Sequence, residues 1–558
     1  MSFLIKTAIK IKGSFIYNSF ERFAENPKYA QEKLLKKILS DNSSCEYGKK
    51  YGFSSVKGPR EYAEAAPIVS YTGIAPYIDR MKKGERNVLT EGKVFIFFQT
   101  SGTTSSPKYI PCNRVFYSMF ADTSVHWLYR AIKENPGILD GYNFGIANPA
   151  VYDKTGGGID IGSSSGLVRR EAASFLGDIN GVPEQVGKIS DYDLKYYLMM
   201  RFALPKNITF MVTPAPVALI NAALTAKKFS AEIIKSIYDG ILFPSGLFTP
   251  AEKDNQILAS LRGNIKPDKK SAAFIDAAAE KDRGIKPGSC WKNLKLAGCW
   301  LSSTIGFRAP ELKKYYGDIA LRDIGYVASE GACSIPYANE TPGCVLAVHN
   351  NYYEFIPESE TGSANPRVLR AHQLEKGRCY KVLITNPSGL YRYDINDIIR
   401  VAGFYSNTPL IQFERKSDDT LNISGEKMNA GHVVEAADEI RRKTGKKIRQ
   451  LRLVPDIPGK RYLIYICPEP GMDEKYARNE FIPLFDSMLR KMNCEYEVGR
   501  KEMYLNPPVF YMMKQEWEED VRKLFVIKGN NDVQFKWKIM SPEKVPEDEK
   551  FIEYSYKL

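Results

Sequence analysis

Val94-Phe95-Ile96-Phe97-Phe98, followed at once by Gln99-Thr100-Ser101-Gly102-Thr103-Thr104-Ser105-Ser106-Pro107-Lys108, is the stretch that decides how the chain is read. The apolar run reads as a buried strand. The loop after it carries one glycine, six hydroxyl side chains and a terminal lysine. Backbone N–H groups and hydroxyls of this kind can cradle phosphate oxygens, and an ammonium adds charge. Taken alone, the loop could also be an ordinary polar turn. It is not a Walker A loop: GxxxxGK[ST] is absent, and Pro107 and Pro111 prevent a helix from starting directly after Lys108. A helix is expected from Asn113, a suitable N-cap, with an apolar face of Phe116, Met119, Phe120, Trp127, Leu128 and Ala131.

Outward from this stretch, strand-then-helix patterns recur. Residues 208–212 precede 216–226, and 294–301 precede 310–316. Such alternation indicates an α/β core. Residues 264–290 are polar and rich in Lys and Ala, as expected of a helical surface insertion, and residues 345–401 are rich in strand formers. Upstream, residues 1–45 have helical spacing, and Lys6, Lys10 and Lys12 interrupt the apolar residues, so the start reads as a basic amphipathic helix rather than a secretory signal. After Arg415 the texture becomes compact α+β. A helix marked by Val433, Ala436, Ala437 and Ile440 should end near Gly445; strands are expected at 450–454 and 461–466, and a helix at 474–492. The expected architecture is α/β, with a large N-terminal domain over residues 1–415 and a smaller, mobile α+β domain over residues 416–558.

Composition narrows the function classes. Hydrophobic residues make up 44% and charged residues 26% of 558 residues, close to a globular average. No apolar run is long enough to cross a bilayer, so stable membrane insertion is not expected. The formal net charge is +14, but basic residues are interleaved with acids, so an anionic small substrate is a better use of it than nucleic acid. Nine cysteines form no CxxC pair, which excludes a zinc ribbon and points to a reducing, cytoplasmic setting. Four scattered histidines leave few candidates for the base of a Ser-His-Asp hydrolase.

Three further segments carry candidate chemistry. In Asp323-Ile324-Gly325-Tyr326-Val327-Ala328-Ser329-Glu330-Gly331, an aromatic and small apolar residues could hold a flat base, and Glu330 could ligate Mg²⁺ or be a plain surface residue. In Gly389-Leu390-Tyr391-Arg392-Tyr393-Asp394-Ile395-Asn396-Asp397, either Asp394 or Asp397 could accept both hydroxyls of a ribose, or be a solvated carboxylate on a strand edge. Arg415-Lys416-Ser417-Asp418-Asp419-Thr420-Leu421-Asn422-Ile423-Ser424-Gly425-Glu426-Lys427 falls at the expected boundary and suits a hinge or an exposed linker.

The ordered set resembles the adenylate-forming superfamily, and most closely the auxin-responsive acyl acid amido synthetase family. The resemblance rests on the TSGTT loop at 100–104, Gly325-Tyr326-Val327-Ala328-Ser329-Glu330, Leu390-Tyr391-Arg392-Tyr393 with Asp397, Val401-Ala402-Gly403-Phe404, and Glu426-Lys427; it runs from about residue 25 to about residue 540. It implies an enzyme that joins a carboxylic acid to AMP at the expense of ATP, then passes the acyl group to an amino acid amine; an acyl-CoA ligase shares the first step. It further implies that Ser101, Gly102, Thr103 and Thr104 cradle phosphate, that Tyr326, Val327 and Ala328 lie along adenine, that Ser329 lies near the α-phosphate, that Glu330 binds Mg²⁺, that Asp397 holds the ribose, and that Phe404 shapes the base side. Lys427 and Lys536 become the catalytic cations, with Lys538 competing with Lys536. The helix position where plant members carry an acyl-binding Arg reads Thr123-Ser124-Val125-His126 here. Phe116, Met119, Phe120 and Thr123 are instead expected either to line the acyl pocket or simply to pack the core.

Overall fold

The computed structural model describes residues 3–100, 107–146, 149–176, 179–263, 265–302, 309–341, 343–417, 420–424, 426, 428–527, 535 and 537–558. The chain divides into two compact units, the first ending at Phe413 and the second beginning at Glu414.

In the larger unit the strand Val94–Thr100 pairs antiparallel with Lys108–Asn113, Thr100 opposite Lys108, and parallel with Asp160–Gly162. Thr100 and Lys108, which flank the expected phosphate loop, therefore face each other across one antiparallel pair. Asn113 then caps the helix Arg114–Glu134, its side chain accepting the Phe116 N–H at 2.9 Å. A second sheet is wholly parallel, with neighbours Tyr142–Gly145, Ile208–Val212, Leu296–Cys299 and Ala320–Asp323. A third, seven-stranded sheet holds Cys379–Thr385, Tyr393–Tyr405 and Thr408–Lys416 near its centre. The polar insertion forms the helix Lys269–Asp282. The smaller unit is a four-stranded sheet with the helix Ala430–Thr444, which ends at Gly445 in the left-handed conformation. The helix expected across 474–492 is present without a break, but it changes pitch part-way. It runs as Glu474–Tyr476, a π-helical turn Ala477–Phe481, and Ile482–Met492, and Pro483 in the first turn of that last piece lacks the N–H that a regular α-helix would use.

The first helix, Phe3–Glu25, supplies an aromatic cover to the buried His126 and the half-buried His349. Tyr17 and Phe20 meet His126 edge-on at 5.6 and 4.8 Å, and Phe20 meets His349 at 5.3 Å. Burial, then the charges of Arg130, His349 and Arg322, push His126 down to about 3; burial alone takes His349 to about 4. Both values lie below the unfolded value near 6.5, so the unfolded chain takes up protons first. Stability is full above that value and falls as pH drops towards 4 and then 3. Between pH 7 and 5 each histidine should cost about 2 kcal/mol. His126→Leu is expected to remove its share of that loss in urea unfolding; an unchanged pH dependence would refute the assignment.

Candidate functional site

The segment 323–332 is anchored from both ends. The Trp127 indole donates to the Asp323 carbonyl at 2.7 Å, and the Asp323 carboxylate accepts the Gly325 and Leu301 N–H groups and the Ser302 hydroxyl. Burial pushes this carboxyl up, and those donors hold it back. Val327–Ala328 and Gly331–Ala332 form a short antiparallel ladder, so Ser329 and Glu330 are the two residues of its turn. Gly331 is required there, because a Cβ would lie 2.3 Å from the Asn351 amide nitrogen. Asn386 fastens the turn by donating to the Glu330 carbonyl at 3.1 Å. Glu330 is thereby a buried carboxylate, not a surface one.

Asp397 lies on the strand Tyr393–Tyr405, buried, and accepts the Tyr326 hydroxyl at 2.5 Å. Asp394, the alternative ribose ligand, is engaged elsewhere: Lys381 binds it at 2.7 Å. Glu330 and Asp397 lie near the same groups. Both negative charges act on Tyr326, Cys333 and Tyr393, and burial with those charges holds all three groups above their ordinary values. Glu330 also acts on Tyr71, whose ring lies 5.8 Å from the Lys108 ammonium at the end of the loop 101–107. Trp300, Phe413 and Tyr326 form an aromatic row, with centroids 5.3 and 5.9 Å apart. The Tyr393 hydroxyl is buried with no hydrogen-bond partner among the described residues. Carboxylate and hydroxyl oxygens around an aromatic row fit a nucleotide with a hard divalent cation.

Two family models match the chain on either side of the segment 323–332. The GH3 family N-terminal domain matches residues 16–321, and the GH3 family central domain matches residues 344–416. The chain belongs to the GH3 family. It is 25% identical over 462 residues to jasmonoyl–L-amino acid synthetase JAR4 of Nicotiana attenuata, covering 79% of this chain and 78% of that one. It is 24% identical over 516 residues to indole-3-acetic acid-amido synthetase GH3.3 of Arabidopsis thaliana, covering 87% and 83%. Its fold is similar to that of the GH3.15 acyl acid amido synthetase, with a TM-score of 0.82 at 18% identity over 96% of each chain. A 2-hydroxyisobutyryl-CoA ligase is more distant, with a TM-score of 0.50 at 12% identity over 84% and 86%.

In this GH3 chain Tyr326, Glu330 and Asp397 are brought together, while Val327, Ala328 and Ser329 are half-buried beside them. Phe404, expected on the base side, is 44% exposed. Phe116, Phe120 and Thr123 are enclosed, and Phe120 packs against Phe98 and Phe116; Met119 is half-buried. Thr123 accepts the Asn350 amide at 2.5 Å. Ser101, Gly102, Thr103, Thr104, Asp418, Lys427 and Lys536 lie outside the described residues. Glu426, beside Lys427, is a structural carboxylate: it accepts the Ile423 and Ser424 N–H groups and the Tyr462 hydroxyl. The sequence by itself assigns no role to Asp323, Asn386, Trp300 or Phe413. Asp323 and Asn386 could have been suspected as polar residues beside glycine turns, but the aromatic row joins residues 113 and 87 positions apart and leaves no local signal.

Proposed function

We propose that this chain is an ATP-dependent acyl acid amido synthetase. A carboxylate oxygen attacks the α-phosphorus of ATP and pyrophosphate leaves. An amino acid amine then attacks the acyl carbon, AMP leaves with the bonding electrons, and the amine sheds a proton. The observation that carries this reading is the Tyr326–Asp397 hydrogen bond beside the buried Glu330, within a chain that belongs to the GH3 family. Asp397 accepts the ribose hydroxyls, the row with Tyr326 lies along adenine, and the loop 100–104 receives the phosphates. Glu330 holds Mg²⁺, which supplies charge to the phosphate oxygens. Lys427 or Lys536 opposes the pyrophosphate charge, and removing the functional one should slow pyrophosphate exchange. Rate then comes from positioning and charge rather than from a protein nucleophile. The relatives named above conjugate amino acids, which favours an amine over CoA as acceptor. The nine free cysteines suit a cytoplasmic enzyme, and no helix among the described residues is long and apolar enough to cross a membrane.

The test is product analysis by mass spectrometry with ATP, a panel of carboxylic acids, and amino acids or CoA. AMP, pyrophosphate and an amide of acid plus amino acid minus water are expected. Thioester as the sole product would overturn the reading in favour of an acyl-CoA ligase. Glu330→Gln should raise the Mg²⁺ concentration giving half-maximal exchange by about tenfold, since an amide is a poorer ligand for a hard cation. An unchanged Mg²⁺ requirement would remove Glu330 from the metal site.

A further inference from the structure

The first helix has two apolar faces, and the fold uses one of them. Ile9, Gly13, Phe20 and Ala24, spaced by steps of four and seven residues, face inward and are buried. Gly13 permits the close approach to the helix Arg114–Glu134: a Cβ there would lie 2.6 Å from the Tyr129 Cβ. On the outward face, Ile11 is 68% and Phe15 76% exposed, one helical turn apart. Between the two helices runs a cleft of about 710 Å³, lined by Lys10, Ile11, Ser14, Phe15, Ile132 and Lys133 among others.

Charge surrounds this apolar pair. Lys6 and Lys12 are tied to Asp140 and Asp122 at 2.5 and 3.4 Å. Lys10 and Lys133 are exposed and have no carboxylate partner among the described residues; Lys133 sits over the Tyr17 and Tyr129 rings at 5.2 and 5.4 Å. We propose that this face docks the enzyme reversibly on an anionic lipid surface, with Ile11 and Phe15 entering the boundary between headgroups and acyl chains and Lys10 and Lys133 meeting the headgroup charge. Ile11 and Phe15 are both more than two-thirds exposed although they border the cleft, and the two lysines beside them complement a negatively charged surface. Long lysine stems can lie along the apolar patch while their ammonium groups reach the headgroups. An apolar stripe flanked by basic residues is the pattern of helices that lie in the membrane interface. None of these residues belongs to the nucleotide site, so the proposal stands apart from the synthetase reading.

The test uses the full chain and sedimentation with sucrose-loaded vesicles of phosphatidylcholine alone or with about one-third phosphatidylserine. Binding to the anionic vesicles only, weakening as salt rises, is expected. Ile11→Ser with Phe15→Ser, and separately Lys10→Glu with Lys133→Glu, should each weaken partitioning at least about tenfold. Met503→Ser, at a side chain 85% exposed in the other unit, should leave it unchanged, and all variants should keep the far-ultraviolet circular dichroism of the parent. No anionic-vesicle binding, binding indifferent to lipid charge, or binding unaffected by both double variants overturns the proposal. So does a concentration-dependent dimer in sedimentation velocity that the same variants abolish, since the face would then be a contact between copies of this chain.

Discussion

Asp397→Ala is expected to lower kcat/KM for ATP by about 10²- to 10⁴-fold while leaving the fold intact. The carboxylate is buried on the strand Tyr393–Tyr405 and held by the Tyr326 hydroxyl at 2.5 Å, so its orientation is set before any nucleotide arrives. An ionised acceptor bound to two ribose hydroxyls contributes about 1.5–3 kcal/mol per hydrogen bond, and alanine removes both. It also strands the buried Tyr326 hydroxyl against the aromatic row. Tyr326→Phe, which keeps Asp397 but not its positioning bond, should cost about tenfold. Pyrophosphate exchange with ATP and with dATP separates the two effects. The alanine variant should lose most of its discrimination between the two nucleotides, whereas the phenylalanine variant should retain it. Wild-type exchange in Asp397→Ala would remove this residue from the nucleotide site.

Arg392→Ala should destabilise the larger unit by about 3–5 kcal/mol, a large part of the 5–15 kcal/mol that holds a typical domain together. The guanidinium lies in the buried interior. It donates through Nε to both oxygens of Glu354 at 3.2 and 3.0 Å, and through Nη1 to the carbonyls of Ala63 and Ala66 at 2.8 Å each. Those carbonyls belong to the end of the helix Pro59–Ala65 and the residue that caps it, where backbone acceptors lack helical partners. Burial pushes the Glu354 carboxyl up, and Arg392 holds it down. Alanine would leave a buried carboxylate and two buried carbonyls without this donor. The control is Arg392→Met with Glu354→Leu, which removes both charges and should recover most of the loss, because a buried pair costs desolvation that an apolar pair does not. Urea unfolding measures both. A loss below about 1 kcal/mol for the single variant, or a double variant no more stable than it, would show that the pair does not have this role.

These two residues stand five positions apart in one motif, and the sequence treats them alike. Both are charged residues in Tyr391-Arg392-Tyr393-Asp394-Ile395-Asn396-Asp397, with Asp394 as a third. Nothing local says that Arg392 turns inward to a glutamate 38 positions away, that Asp394 pairs with Lys381, or that Asp397 meets a tyrosine 71 positions away. The strand is irregular here, with Arg392 and Asn396 both at positive φ, so the simple alternation of faces along a strand does not assign them.

The sequence by itself determined those features that depend on near neighbours. The alternation of strand and helix, the strand Val94–Thr100, the Asn113 cap, the Gly445 stop and the surface helix at Lys269–Asp282 all follow from hydrophobic period and from residues that favour particular backbone angles. The ordered motifs likewise carried the family resemblance. Tertiary structure alone decided which carboxylate faces which partner, that Glu330 is buried in a two-residue turn, that Phe116 and Phe120 are enclosed, and that Trp300, Phe413 and Tyr326 form one row. Burial and ion pairing depend on distance in space, and residues tens to hundreds of positions apart come together only when the sheets and the helices that cover them close on one another.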